Sequence, residues 1–273
     1  MIQNKIRANY HTHTPRCFHA AGTEEEYVQA AISHGYDILG FADHGPWPYD
    51  DGFVSRIRMV CDQLPEYIQA VHSAGEKYSG QIRVHCGLEM EHFPRYTAWL
   101  KDAFYEYGLD YLILGNHYDT YEKDSVYFGS CKTKEHVRRY AQMTIAGMET
   151  GLFLYVAHPD LFLSGYPEFD DTCAECSREL LRASRDLNVP LEYNLLGIRK
   201  STERPARGVG YPYERFWEMA AEEGCTAVIG IDAHTPAQLY DPELFDLAAT
   251  YLKALGIKRL ETLDEEIKTR YFK

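Results

Sequence analysis

Long apolar runs are missing from this sequence. No stretch approaches the ~20 apolar residues that a bilayer-spanning helix requires, and the opening Met-Ile-Gln-Asn-Lys-Ile-Arg carries no signal-peptide core. A cytoplasmic protein without a membrane partner is expected. Positive charge is scarce as well: 28 Lys+Arg against 41 Asp+Glu give a net charge of −13, a field that repels phosphate backbones and anionic lipid. Nucleic acid is therefore disfavoured as a partner. Cysteines number only seven, and the one C-x-x-C, Cys173 with Cys176, has no second pair to complete a zinc ribbon. It follows Thr172, which with Glu175 reads as the capping box of an amphipathic helix, so a structural pair is expected. Cys86 and Cys225 fall in strand-like runs, where a reduced thiol serves as a small hydrophobe. A Ser/Pro/Gly linker, a charge block and an internal repeat are all absent, which leaves residues 1–273 as one expected domain.

What is present suits a large α/β barrel, whose usual length is about 250 residues. The chain has 273 residues, 45% of them hydrophobic, enough to bury a core. Seven short segments rich in β-branched or aromatic residues read as buried parallel strands: 5–10, 38–42, 82–87, 110–115, 152–157, 190–193 and 226–231. Helical patterns separate most of them. Thr23 with Glu26 opens one helix as a capping box; Pro65, Pro94, Pro212 and Pro242 each fit a first turn. Gly35, Gly108, Gly151 and Gly224 close four helices just before the next strand. This alternation predicts one parallel sheet, closed or open, with helices outside. Two stretches, 159–172 and the Arg/Lys-bearing 195–211, read as long loops, and loops of that length at strand ends usually carry function.

Seven of the twelve histidines, with two carboxylates, fall at or just beyond the ends of six of these strands. They are His11, His13 and His19; His44; Glu89; His117; His158; and Asp232 with His234. In a parallel barrel the C-terminal strand ends form one mouth, so the nine side chains would converge there. A period of two turns His11 and His13 to one side of an extended backbone, and Asp232 and His234 likewise. Imidazole with carboxylate suits Zn, Mn or Fe better than Ca or Mg. Nine donors exceed the four of one tetrahedral ion, so two or three divalent ions are implied, with Glu89 or a water bridging. His34, His72, His85, His92 and His136 lie before a terminal Gly, within helices or inside a strand, and read as packing or surface residues.

The ordered set His-x-His, a His further on, Asp-His, Gly-Leu-Glu, Gly-x-His, Ala-His-Pro-Asp and Asp-Ala-His resembles the polymerase and histidinol phosphatase (PHP) family of metal-dependent phosphoesterases. The resemblance runs from His11 to His234. It implies a distorted (β/α)7 barrel, TIM-like, with a trinuclear centre: His11, His13, Glu89 and Asp232 on one ion, Glu89, His117 and His158 on a second, His19, His44 and His234 on a third. Within the family, His-Thr-His-Thr-Pro-x-Cys-x-His at 11–19, Ser-Arg-Ile-Arg-Met at 55–59, Gly-Leu-Glu-Met-Glu-x-x-Pro at 87–94 and Glu-Tyr-Asn-x-x-Gly-Ile-Arg-Lys at 192–200 are most similar to the histidinol-phosphate phosphatase branch. The chain departs from that branch at Asn116 and at Asn194-Leu-Leu-Gly197.

Clustered divalent ions acidify a bridging water and clamp phosphoryl oxygens, which favours in-line attack by hydroxide on a phosphate monoester. Neither a Gly-x-Ser-x-Gly elbow nor a Gly-x4-Gly-Lys loop occurs. For the phosphate dianion, Arg199 is the first candidate partner, followed by Arg58 and Arg16. Asp232 or His234 could relay a proton to the leaving alkoxide, and Glu91 could attract a substrate amine. The expectation is a phosphomonoester hydrolase acting on histidinol phosphate. Its alternatives are another small phosphomonoester such as a nucleotide or sugar phosphate, an amidohydrolase-like metal hydrolase, and a non-catalytic metal-binding module.

Overall fold

The computed structural model describes residues 6–203 and 208–271. Strands and helices alternate along it: β1 (Ala8–Asn9), α1 (Glu24–Ser33), β2 (Ile38–His44), α2 (Leu64–Lys77), β3 (Arg83–Met90), α3 (Thr97–Glu106), β4 (Tyr111–Leu114), α4 (Lys134–Glu149), α5 (Asp171–Asp186), β5 (Leu191–Asn194), α6 (Leu195–Glu203), α7 (Glu214–Glu222), β6 (Thr226–Gly230), α8 (Pro242–Ala254), β7 (Lys258–Arg259) and α9 (Asp264–Tyr271). β1 to β4 form a parallel sheet in sequence order, and β5 to β7 form a second.

Single-residue bridges join the two sheets into a ring. Val156 pairs with Leu114 on one side and Leu191 on the other, and Thr12 pairs with Ala233, all parallel. The expected strand 152–157 is thus corrected to an irregular stave. Leu154 N–H donates to Leu112 O, whereas Leu114 donates its N–H to Tyr155 O and accepts at its carbonyl oxygen from Ala157 N–H. The ladder therefore advances two residues on β4 and three on its neighbour, a bulge of one residue, and bulges favour barrel rims and active sites. Sequence periodicity cannot register such an insertion. The result is a distorted α/β barrel of parallel staves with helices outside, as the resemblance implied. No helix among the described residues is long and apolar enough to cross a membrane.

The punctuation mostly holds. Thr23 and Glu26 form a reciprocal capping box, and Gly35, Gly108, Gly151 and Gly224 all take positive φ. Three expectations change. α5 is capped by Asp170, which accepts from Cys173 N–H at 3.0 Å, not by Thr172. Pro212 precedes α7, whose cap is Tyr213, so it is not in the first turn. Residues 195–203 form a helix instead of a loop, because Asn194 Oδ1 accepts from Gly197 N–H at 2.8 Å and supplies the cap. The remainder of the 195–211 stretch includes 204–207, which lie outside the described residues, as does Lys5 of the first expected strand. At the barrel's other end, α9 anchors the irregular stave: Tyr271 Oη donates to Leu152 O and Arg270 Nη1 to Phe153 O, both at 2.6 Å.

Candidate metal centre

The parallel register lays the donors side by side. His44, the last residue of β2, pairs with Glu89 on β3, and the Thr12–Ala233 bridge falls between His11 and His13 on one stave and between Asp232 and His234 on the other. All nine expected donors meet at this mouth. Glu89 is the hub: its Oε1 lies 2.8 Å from His158 Nε2 and 3.6 Å from His117 Nε2, and its Oε2 lies 3.0 Å from His44 Nδ1, 3.5 Å from His11 Nε2 and 3.7 Å from His13 Nε2. Asp232 Oδ1 stands 3.0 Å from His13 Nε2, 3.6 Å from His11 Nε2 and 3.4 Å from His234 Nδ1. His19 is the outermost donor. Its ring centre lies 4.8 Å from that of His234 and 5.3 Å from that of His44.

Local backbone geometry aims two of these groups. His158 and Asp232 adopt φ of 31° and 54°, a region that side chains rarely occupy and that clusters at functional sites. Gly115 leaves space for Glu89, since a Cβ there would stand 2.0 Å from Oε1.

The electrostatics favour cations. Burial opposes a charged imidazole, yet the carboxylates of Glu192, Asp232 and Glu89 raise His11 to about 10, and Asp232 and Asp43 carry His13 well above its ordinary value. Burial likewise opposes ionised carboxyls, but the surrounding imidazoles hold Glu89 and Asp232 well below the usual range. His234 goes the other way, lowered to about 3 by burial and by His13. The pocket thus stabilises anionic ligands and draws positive charge. Donor geometry agrees. With metal–ligand bonds of about 2.0–2.2 Å, tetrahedral donors stand roughly 3.3–3.6 Å apart, close to the separations around His11, His13, Glu89 and Asp232. His44 Nδ1 and Glu89 Oε2 are buried without a hydrogen-bond partner, the condition a cation would satisfy. Three trios that could hold an ion are His11–His13–Glu89, His44–Glu89–His117 and His13–His44–His234, and Cys17 forms two more, with His19 and His234 and with His13 and Asp43.

A cavity of about 380 Å³ opens over the cluster, walled by Ile57, Tyr118, Tyr127, Leu161, Leu196 and Tyr211. Among the described residues, Lys200 is the cation in its lining. The four substrate candidates are placed elsewhere. Arg58 and Glu91 pair with each other in the interior. Arg16 binds Glu24 and Glu66. Arg199 donates to Gln238 O at 2.9 Å and reaches Asp241 at 3.5 Å. Sequence reasoning missed Lys200, one residue from Arg199. It also missed three buried partners behind the donors: Asp43 beside His13 (3.3 Å), Glu192 beside His11 (2.7 Å) and Asn194 beside Asp232 (3.2 Å). Asp43 could have been found from its place next to His44, and Glu192 and Asn194 from the Glu-Tyr-Asn stretch at 192–194 that carries part of the resemblance.

A parallel barrel with imidazoles and carboxylates packed at its C-terminal mouth is the architecture of a metal-dependent hydrolase. The chain belongs to the PHP domain family, whose model matches residues 9–195. It is 30% identical over 237 residues to the "Probable histidinol-phosphatase" of Deinococcus radiodurans, covering 84% of this chain and 86% of that one. Against the histidinol-phosphatase of Bacillus subtilis it is 26% identical, covering 82% of this chain and 92% of the relative. The histidinol phosphate phosphatase of Lactococcus lactis, solved with zinc, L-histidinol and phosphate, superposes with a TM-score of 0.69 at 20% identity, over 93% of this chain and 95% of that one.

Proposed function

We propose that this chain is a metal-dependent phosphomonoesterase that converts L-histidinol phosphate and water to L-histidinol and inorganic phosphate. The observation that carries the reading is the hub at Glu89, with four staves' imidazoles within 3.7 Å of one carboxylate. Relatives named as histidinol-phosphatases, and a Lactococcus protein solved with zinc, L-histidinol and phosphate, support that substrate class and a divalent metal.

On this reading His11, His13, Glu89 and Asp232 hold one divalent ion, Glu89, His117 and His158 a second, and His19, His44 and His234 a third, with Zn, Mn or Fe as the metal. When bound, the ions supply an acidified water and positive charge for the phosphoryl oxygens. The chain's own groups do the rest. Lys200 sets an ammonium in the cavity wall against the phosphate dianion. Tyr118, Tyr127, Tyr211 and the neighbouring aliphatic side chains surround the organic half of the ester and exclude water. Asp232 or His234, 3.4 Å apart, would relay a proton from the attacking water to the departing alkoxide. The described residues act as one barrel domain, and the seven cysteines, all free, suit the reducing cytoplasm.

The test is to purify the protein loaded with Zn, Mn or Fe in turn and to compare kcat/KM for histidinol phosphate, a nucleoside monophosphate and a sugar phosphate. A preference for histidinol phosphate of more than about a hundredfold, ~2.7 kcal/mol, is expected. Metal-loaded protein that frees no phosphate from any of them overturns the reading.

A further inference from the structure

Behind the donors, on β5, Glu192 is fully buried, and its hydrogen bonds run to staves on both sides. Its Oε1 faces His11 Nδ1 at 2.7 Å. Its Oε2 accepts from the His158 backbone N–H at 3.0 Å and from Asn194 Nδ2 at 2.8 Å. Asn194 Nδ2 also reaches Asp232 Oδ2 at 3.2 Å, and its amide orientation is fixed because its Oδ1 accepts from Gly197 N–H. One carboxylate and one amide therefore touch β1, the irregular stave and the end of β6 together. The neighbouring strand makes room for this: a Cβ at Gly230, which pairs with Asn194, would stand 1.7 Å from Glu192 Oε1.

We propose that Glu192 is a positioning residue that fixes the ring orientation and the metal-bound tautomer of His11, the backbone of His158 and, through Asn194, the carboxylate of Asp232, so that three metal donors are aimed at one point. The inference rests on the metal centre proposed above. An imidazole that gives its Nδ1 proton to a carboxylate presents a bare lone pair at Nε2. In His11 that atom faces Glu89 and Asp232 at 3.5 and 3.6 Å. Each oxygen of Glu192 only accepts, and this makes the carboxylate irreplaceable by an amide of the same shape. In Glu192→Gln the carbonyl must stay with the two donors on the Oε2 side. The new NH2 then points at His11 Nδ1, which can accept only if its proton moves to Nε2, the metal-facing atom.

The experiment compares wild type with Glu192→Gln in three readouts: zinc per chain, zinc affinity by competition with a chromogenic chelator, and the imidazole tautomer of His11 from long-range 1H–15N spectra. Expected are a roughly 10- to 100-fold weaker zinc affinity in the variant, loss of at least one ion per chain, and a His11 proton moved from Nδ1 to Nε2. Glu192→Asp, which keeps two accepting oxygens, is expected to recover part of the affinity. Should the glutamine variant not fold, the wild-type spectrum decides: zinc-loaded protein with His11 protonated at Nε2 overturns the proposal. Equal zinc content, affinity and tautomer in variant and wild type overturn the role of Glu192 alone. Wild type that binds no zinc and frees no phosphate overturns the metal centre and this inference with it.

Discussion

Arg58 and Glu91 lie side by side in the interior, joined by two parallel hydrogen bonds, Nη2 to Oε1 at 2.6 Å and Nη1 to Oε2 at 3.0 Å, with each side chain 1% exposed. Trp47 Nε1 donates to the same carboxylate at 3.1 Å, and Arg58 Nε reaches Glu122 at 2.9 Å. The pair ties the segment after β2 to the end of β3 and the segment after β4, all at the barrel mouth. On its other side Glu91 Oε1 lies 3.4 Å from His117 Nδ1. Arg58 is thus a strut beneath the site.

Removing one member of a buried pair leaves the other charge stranded, at a cost of about 3–5 kcal/mol, softened here by Glu122. Glu91→Gln should therefore lower stability at pH 7. The pH dependence carries the sharper sign. Burial opposes ionisation of Glu91, but Arg58 and His117 overcome it and hold the carboxyl well below its ordinary 4.5. Its stabilisation is complete above that ordinary value and is lost as pH falls toward the lower folded value. Urea unfolding between pH 7 and pH 3 should show an acid-side decline in wild type that is shallower in Glu91→Gln. Parallel curves would refute the assignment.

Gly115→Ala places a methyl group 2.0 Å from Glu89 Oε1. Glu89 must then swing away from His158 and His117. A displacement of about 1 Å at a reacting centre can cost around a hundredfold in rate, so kcat/KM should fall by at least that much, together with bound metal. Metal analysis of the purified variant checks it, and wild-type metal content would count against Glu89 as the hub.

Removal of metal should be felt by the whole fold. At a free-ion concentration of about 1,000 Kd, binding stabilises by roughly 4 kcal/mol, which for a chain of this size corresponds to about 8–16 °C in Tm. Chelation should lower Tm by that order and abolish phosphate release, and added zinc should restore both. Thermal scans with and without chelator provide the measurement.

Among the cations, Lys200 lines the cavity while Arg16 is occupied by Glu24 and Glu66. One charge-assisted hydrogen bond is worth about 1.5–3 kcal/mol. Lys200→Ala should therefore raise KM about tenfold or more with a smaller change in kcat, and Arg16→Ala should leave KM unchanged. Steady-state kinetics on both variants separates them, and the reverse pattern would return the phosphate contact to Arg16.

The donors other than His19 were legible because each sits within four residues of a strand or stave end, so local spacing and barrel geometry together fix their convergence; His19 lies ten residues past β1. The parallel alternation of strands and helices and most helix ends followed from the same local signals. The fifth stave was legible as a segment but not in its irregularity, since a one-residue bulge leaves the apolar pattern of 152–157 intact. β7, two residues long, is too short to leave a pattern. The arginines were visible, but their partners were not: Glu91 and Glu122 lie 33 and 64 positions from Arg58. Glu192 fails for a related reason. A glutamate inside a four-residue strand looks like an outward-facing polar residue until the staves on either side are in place.

The barrel's closing seam runs through the site itself. His13 N–H donates to Ala233 O at 2.8 Å and Ala233 N–H to His11 O at 3.2 Å, so the bonds that fasten the first stave to the last come from the same residues that present the ligands, or from their immediate neighbours. The hoop cannot spring open while those ligands stay gathered, and an ion clasped between His11, His13 and Asp232 would act as a rivet through both ends of the wall.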